Sequence, residues 1–302
     1  MVNNMNIISE IKKLKIGKVL SNVDLKKYTT YKLQEEAKGL VYPKDTESLI
    51  KLLKFLNDND IKYKIIGNGS NLIFTKYYDG ILIKLDEFNN LKIEDNLVTV
   101  GAGYSLIKLS YKVANLGLSG LEFASGIPGT VGGAIYMNAG AYKSDMGYIV
   151  KDILVLTPDY HVITMNNKEL DFHYRTSFLM KNSGFICLEV TLKLDKKEKN
   201  EILEIMEDRK QRRLETQPLE YPSAGSTFRN LDNQFSWQLI DSIGYRGKKI
   251  GGAQVSEKHS NFIINVDNAS AMDVIQLTDQ IKKEIKEKYN LDMIMEVERF
   301  NW

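Results

Sequence analysis

The chain has one cysteine, Cys187, which excludes an intramolecular disulfide. Its three histidines, His161, His173 and His259, stand at unrelated spacings, so with one cysteine no metal site is indicated. No stretch approaches the roughly 18 apolar residues of a membrane span, and no membrane association is expected. The first residues, MVNNMNIISEIKKLKIG, lack the continuous apolar core of a signal peptide. Neither sign of charge dominates. The 41 Lys and Arg against 39 Asp and Glu give a net charge of +2, which argues against a dedicated nucleic-acid binder. With 43% hydrophobic residues the chain is not disordered and has ample material for a core. A soluble, cytoplasmic protein is the expectation, and 302 residues allow two domains.

Residues 1–27 read as a short amphipathic lead-in. Asp45 and Thr46 offer a cap to a helix over 47–57, with Leu49, Leu52, Leu53 and Leu56 on one face. Strands are expected at 63–66, 81–85 and 97–100. A helix over 104–116 should stop at Gly117. Residues 117–147 then hold 8 of the 21 glycines. Strands return at 152–156, 161–165 and 185–194, the last carrying Cys187 as an inert core residue. Residues 195–216 form a charged helix with an Ile202, Ile205, Met206 stripe, read as a solvated helix packed by one face. The composition shift puts a domain boundary near 196. Beyond it we expect a helix over 236–243 ended by Gly244, a strand over 261–266, a helix over 270–289 capped by Ser270 with Asp273 three residues on, and a strand over 293–297. This mixture is α+β rather than regular βαβ alternation.

The glycine cluster carries the first chemical signal. It runs from Ser125 through Gly126, Ile127, Pro128, Gly129, Thr130, Val131, Gly132 and Gly133 to Ala134, and continues as Met137-Asn138-Ala139-Gly140-Ala141-Tyr142. Glycine lets the backbone approach a ligand closely, and consecutive exposed N–H groups make a nest for phosphate oxygens. Gly67-Asn68-Gly69-Ser70-Asn71, just after a strand, offers a second nest. Two nests suit a pyrophosphate and hence a dinucleotide cofactor. Gly101-Ala102-Gly103 imitates the dinucleotide fingerprint, but its third glycine would fall on Leu106, so the fingerprint fails.

Several segments are similar, in order, to the UDP-N-acetylenolpyruvoylglucosamine reductase family. They are Thr29-Thr30-Tyr31, Gly67 to Leu72, Ser125 to Ala134, Tyr174-Arg175-Thr176-Ser177-Phe178, Ser223 to Asn230, Gly251 to Phe262, and Glu296-Val297. The resemblance runs from about residue 28 to residue 300 and matches the compact branch of the family. It implies an FAD-binding domain of the vanillyl-alcohol-oxidase (PCMH) type over 28–195, in two subdomains of about 28–85 and 86–195. A C-terminal α+β substrate domain would occupy 196–302. It also implies a monomer that takes a UDP-sugar substrate. NADPH would reduce FAD, and the flavin would pass hydride to the β-carbon of UDP-N-acetylglucosamine enolpyruvate, giving UDP-N-acetylmuramate for peptidoglycan. No His or Cys precedes His161, so a covalent flavin link has no candidate in the first 160 residues and the flavin should be noncovalent.

The resemblance assigns catalysis to Arg175, Ser226 and Glu296. Hydride transfer belongs to the flavin, because no side chain performs it. Hydride addition leaves an enolate spread over the substrate carboxylate. Arg175 is a fixed cation able to grip that oxyanion, and Ser226 matches the family's proton donor. A nucleophilic role for Ser226 is rejected, since no G-x-S-x-G elbow surrounds it. Glu296 lies two residues from Glu298, on the same side if both are on a strand. The family's ending selects Glu296, either protonated against the carboxylate or charged to orient Arg175 or water. Tyr174, Arg229, Asn230 and His259 match substrate-contact positions. Three departures stand out. Gln34-Glu35-Glu36 replaces paired glycines, Leu231 replaces a proline, and Glu298 replaces a basic residue. The rival reading is an FAD-dependent oxidase of a small alcohol or sugar on the same scaffold, which would not need Ala224 to Asn230.

Overall fold

The computed structural model describes residues 7–74, 77–231 and 234–300. The first six residues of the lead-in lie outside the described residues. Eight helices are described: α1 (Ile7–Lys13), α2 (Thr46–Asp58), α3 (Leu106–Ala114), α4 (Val131–Met137), α5 (Phe178–Lys181), α6 (Lys199–Thr216), α7 (Ser236–Ser242) and α8 (Ala271–Tyr289). The described chain divides into two compact units. Unit 1 comprises 1–21, 39–67 and 80–211, and unit 2 comprises 22–38, 68–79 and 212–302. Residues 22–38 and 68–79 therefore group with the C-terminal third, whereas composition along the chain places both before residue 196.

Unit 1 is built on a five-stranded antiparallel sheet in the order Val162–Asn166, Val150–Leu156, Ile186–Lys193, Leu97–Gly101, Leu91–Glu94. A second sheet, most of whose residues belong to this unit, runs Gly17–Asp24, Glu36–Pro43, Tyr77–Lys84, Tyr63–Ile66. Its last pair is parallel, with Tyr63 opposite Ile81. Helix α2 connects Glu36–Pro43 to Tyr63–Ile66, with Leu49, Leu52, Leu53 and Leu56 all buried. Asp45 caps α2 by accepting from the Ser48 amide at 2.8 Å. Within the lead-in, α1 buries Ile7 and Ile11, one helical turn apart. Helix α6 buries Ile202 and Met206 against Ala114 of α3. Ile205, expected in the same stripe, is 38% exposed, because one step along a helix turns a residue by about 100°. Cys187 lies in the core, and burial pushes its thiol up to about 12.

Unit 2 has a three-stranded antiparallel sheet, Lys249–Ile250, Ala253–Val255 and Ile263–Asn265, covered by α8. Helix α8 starts in a capping box. Ser270 accepts from the Asp273 amide, and the Asp273 carboxylate accepts from the Ser270 amide. Its buried face, Val274, Leu277, Ile281 and Ile285, repeats at the helical period. The last strand is Glu298–Phe300, not 293–297. It runs parallel to Leu72–Phe74, with Arg299 opposite Ile73. The strand expected at 293–297 instead lies along residues 227–229 with a single bridge, Phe228 to Met295. Among the described residues no helix is long and apolar enough to cross a membrane.

Candidate active site

Unit 1 holds a glycine platform and a cation. Val131-Gly132-Gly133-Ala134 opens a helix, α4, despite its two glycines. Thr130 caps it by accepting from Gly133 N at 3.3 Å, and Val131, Ala134 and Ile135 anchor it in the core. Gly132 is dictated by close approach. Its amide donates to Ala102 O at 2.8 Å, and a Cβ there would lie 2.9 Å from the Ala102 Cβ. The Gly101-Ala102-Gly103 turn, a failed fingerprint in sequence, is thus the surface on which α4 rests. Gly67 meets the same cap, since a Cβ on it would lie 2.5 Å from Thr130 Oγ1. Lys84, 6% exposed, donates from Nζ to Gly67 O at 2.7 Å and pairs with Asp86 at 3.3 Å. A buried cation therefore sits directly beneath Gly67, one that no sequence motif marks.

The expected run of exposed amides is only partly present. Ile127 N donates to Ala124 O, Gly129 N to Ile127 O, Val131 N to Tyr104 O, Gly132 N to Ala102 O and Gly133 N to Thr130 Oγ1. These five amides shape the loop from within. Gly126 lies in a turn and Pro128 in the irregular stretch after it, and a Cβ on Gly129 would meet nothing within 4 Å, so the loop is open there.

Helix α4 ends on Asn138, which takes the left-handed conformation at φ 43°. Asn138 was expected at the cofactor, but its side chain is turned inward. The residue is 2% exposed, Nδ2 donates to His173 O at 2.9 Å, and Oδ1 accepts from Gly147 N at 2.9 Å. His173 and Thr176 exchange both backbone hydrogen bonds, which makes Tyr174 and Arg175 the tip of a tight turn. Arg175 sits at φ 54°, in the region that favours glycine. Its Nη2 donates to Gly140 O at 2.8 Å, and its guanidinium lies 5.0 Å from the centroid of the half-exposed Tyr174 ring. Gly140 itself is required by the short hairpin, since a Cβ would lie 2.5 Å from Ser144 O.

Unit 2 holds the Gly69 bend, the serine segment and Glu296. Gly69 is at φ 61°, its carbonyl accepts from Thr30 N at 3.2 Å, and a Cβ would lie 2.4 Å from Tyr28 O. Thr30 Oγ1 donates to Ser223 O at 2.7 Å, which ties residues 29–31 to the serine segment. Asn68 and Ser70 lie in the same bend as Gly69. Asn71 Nδ2 donates to Glu296 O at 3.0 Å, and Asn71 O accepts from Glu298 N at 3.0 Å.

Ser226 follows Gly225, which is at φ 79° with nothing within 4 Å of where a Cβ would stand. The serine itself is half-buried. Beyond it the chain is clamped. Thr227 N donates to Asn261 O at 2.7 Å, and the buried Asn261 amide brackets Phe228, accepting from its N–H at 2.9 Å and donating to its carbonyl at 2.8 Å. Asn261 is a second residue the sequence reading did not single out. Glu296 N donates to Thr227 O at 2.9 Å, which places the half-buried Glu296 beside Ser226 along the backbone. Glu298 instead opens the strand paired with Leu72, so the serine segment neighbours Glu296 and not Glu298.

The substrate-contact candidates fare unequally. Arg229 is half-buried, with its amide donating to Ile294 O at 2.9 Å. Asn230 Oδ1 accepts from Ser236 N at 3.1 Å and so holds the first turn of α7. His259 is a turn residue. Its Nδ1 accepts from Asn261 N at 3.3 Å, and its ring packs edge-on to Phe262 at 5.0 Å. Burial, with Arg246 nearby, holds its imidazole below the usual range. Among the described residues no group of three or more His, Cys, Asp or Glu could hold a metal ion.

A family model for the C-terminal domain of UDP-N-acetylenolpyruvoylglucosamine reductase matches residues 217–300, and one for an FAD binding domain matches 37–166. The UDP-N-acetylenolpyruvoylglucosamine reductase of Bacillus licheniformis is 44% identical over 294 residues, covering 97% of this chain and 97% of the relative. That of Anoxybacillus flavithermus is 45% identical over 291 residues, covering 96% of each. The crystal structure of UDP-N-acetylenolpyruvylglucosamine reductase from Thermus caldophilus aligns with a TM-score of 0.81 at 34% identity, over 94% of this chain and 99% of that one.

Proposed function

The chain belongs to the UDP-N-acetylenolpyruvoylglucosamine reductase family, and on that premise we propose that Arg175, Ser226 and Glu296 carry its chemistry. It is an FAD-dependent oxidoreductase with NADPH as reductant, which converts UDP-N-acetylglucosamine enolpyruvate to UDP-N-acetylmuramate for peptidoglycan synthesis. Reductase relatives matching 97% of the chain set the oxidase reading aside.

The residues present fit an FAD. Gly69 packs too tightly for any side chain, Gly129 leaves an open face, and Lys84 places a buried cation under Gly67. Residues 67–71, 126–130 and 132–134, with Gly140, are the proposed holders. When bound, the flavin supplies hydride to the β-carbon of the enolpyruvyl double bond. Negative charge then spreads from the α-carbon onto the substrate carboxylate. Arg175, held by Gly140 O and flanked by Tyr174, answers it with charge-assisted hydrogen bonds. Ser226 Oγ donates a proton to the α-carbon and regains one from solvent. The open space at the preceding Gly225 leaves room for a substrate, and the clamp on Thr227 and Phe228 holds the serine backbone still. Glu296 assists at the carboxylate or orients water. Arg229 supplies charge for the diphosphate, which a guanidinium grips by two parallel bonds. The enzyme is read as a cytoplasmic monomer.

The observation that supports this reading is the backbone bond from Glu296 N to Thr227 O, which lays the Glu296 segment alongside the serine segment. The test is Ser226→Ala in anaerobic half-reactions. Flavin content and bleaching by NADPH should be kept, while recovery with the enolpyruvyl substrate slows by about 100-fold or more. Equal slowing of both half-reactions would contradict the assignment.

A further inference from the structure

We infer that Asn138 is a positioning residue that fixes Arg175 in its working conformation. The inference rests on the reading of Arg175 given above and adds what holds that arginine in place. The C-cap of a helix needs only a residue tolerant of the left-handed conformation, which glycine provides best. The chain has 21 glycines, many of them in this segment, yet places asparagine here. What asparagine adds is an amide, and both ends of that amide are used. Nδ2 donates to His173 O, and Oδ1 accepts from Gly147 N. With the residue 2% exposed, these bonds are shielded from water.

The hydrogen bonds close a ring. From Asn138 the backbone runs two residues to Gly140, whose carbonyl accepts from Arg175 Nη2 at 2.8 Å. From Arg175 the backbone runs back two residues to His173, whose carbonyl accepts from Asn138 Nδ2. One bond holds the arginine's head group and the other holds the turn that carries it. The turn needs holding, because an arginine at φ 54° occupies a position that glycine prefers. Ser177 gives the far side of the turn a second anchor, donating from Oγ to Tyr136 O at 2.7 Å. Deleting the Asn138 amide leaves His173 without that partner and lets the turn relax toward negative φ, which moves the guanidinium away from Gly140.

The test uses holoenzyme carrying Asn138→Gly, which keeps the left-handed backbone and removes only the amide. Asn138→Asp, of equal size, replaces the donor facing His173 O with an oxygen and carries the test if the glycine variant fails to hold flavin. Arg175→Ala and the double variant Asn138→Gly/Arg175→Ala complete a cycle. Flavin content and the anaerobic rates of both half-reactions are measured. Asn138→Gly should keep flavin and bleach with NADPH within about twofold of wild type, while recovery with the enolpyruvyl substrate slows about 10- to 100-fold. In the Arg175→Ala background the same change should add less than about twofold, because its effect passes through the arginine. Equal slowing of both half-reactions, or the full factor reappearing in the Arg175→Ala background, would overturn the inference. Arg175→Ala alone decides the underlying reading. If it leaves recovery unchanged, that reading falls with the inference. If it slows recovery and Asn138→Gly does not, only the inference falls.

Discussion

Asn71 reaches the carbonyl of Glu296, 225 residues later in the chain, and its Nδ2 donates there at 3.0 Å. The glycine loop after the first parallel strand is thereby fastened to the backbone of Glu296, the proposed catalytic glutamate. The Asn71 carbonyl takes the Glu298 amide, so the loop holds residues 296–298 from both ends. Asn71→Ala should cost about 1 kcal/mol of stability, the usual worth of one such bond. It should also slow recovery of the reduced flavin more than it slows bleaching. Melting temperature and the two half-reaction rates check this. A variant that melts lower but keeps both rates would reduce Asn71 to a structural role.

Lys84 should govern cofactor affinity. Its ammonium is buried and bound to Gly67 O, so Lys84→Met removes a cation and a donor from beneath the loop. FAD should bind about tenfold more weakly, which corresponds to about 1.4 kcal/mol. Flavin fluorescence on titration of apoprotein reads this directly, and unchanged affinity would remove Lys84 from the cofactor cradle.

Gly132→Ala should damage the platform itself. The added Cβ would lie 2.9 Å from the Ala102 Cβ and 3.2 Å from its carbonyl oxygen, so α4 or the 101–103 turn must move. Overpacking of this kind costs about 1–3 kcal/mol, and flavin content should fall with it. Gly129→Ala, which meets nothing within 4 Å, is the control and should leave stability unchanged.

Glu35 sets a pH dependence of stability. It is 3% exposed, and its Oε1 has no hydrogen-bond partner. Burial pushes its carboxyl up to about 8, against the pull of the Ala271 amide and the Lys26 charge. Between about pH 4.5 and 8 the folded chain keeps a proton that the unfolded chain has lost. Stability therefore falls as pH rises through that window and levels off above it, by a total on the order of 5 kcal/mol. Glu35→Gln should flatten this dependence and melt higher than wild type at pH 8. Parallel pH profiles of melting temperature for the two proteins would expose an error in this account.

Much of this was legible in sequence where local rules and tertiary packing agree. Ser270 with Asp273 announced α8, Asp45 announced α2, and Gly244 ends α7 in the left-handed conformation. The glycine loops and Ser226 were legible as motifs. Helix α4 was not, because two glycines oppose helix and only the Thr130 cap and the Ala102 contact offset them. The strand at 298–300 was missed for a different reason. Its partner, 72–74, is more than 200 residues away, and no local pattern encodes a remote parallel pairing. The inward turn of Asn138 and the clamp by Asn261 were equally hidden, since one polar residue in a motif reads alike whether it meets a ligand or the backbone.

The most direct test of the whole account is the anaerobic absorbance of the purified protein across the flavin bands, with NADPH added first and UDP-N-acetylglucosamine enolpyruvate second. The account predicts a yellow protein that bleaches on the first addition and regains its colour on the second. Bleaching without recovery, or a colourless protein that takes up no added FAD, would contradict it.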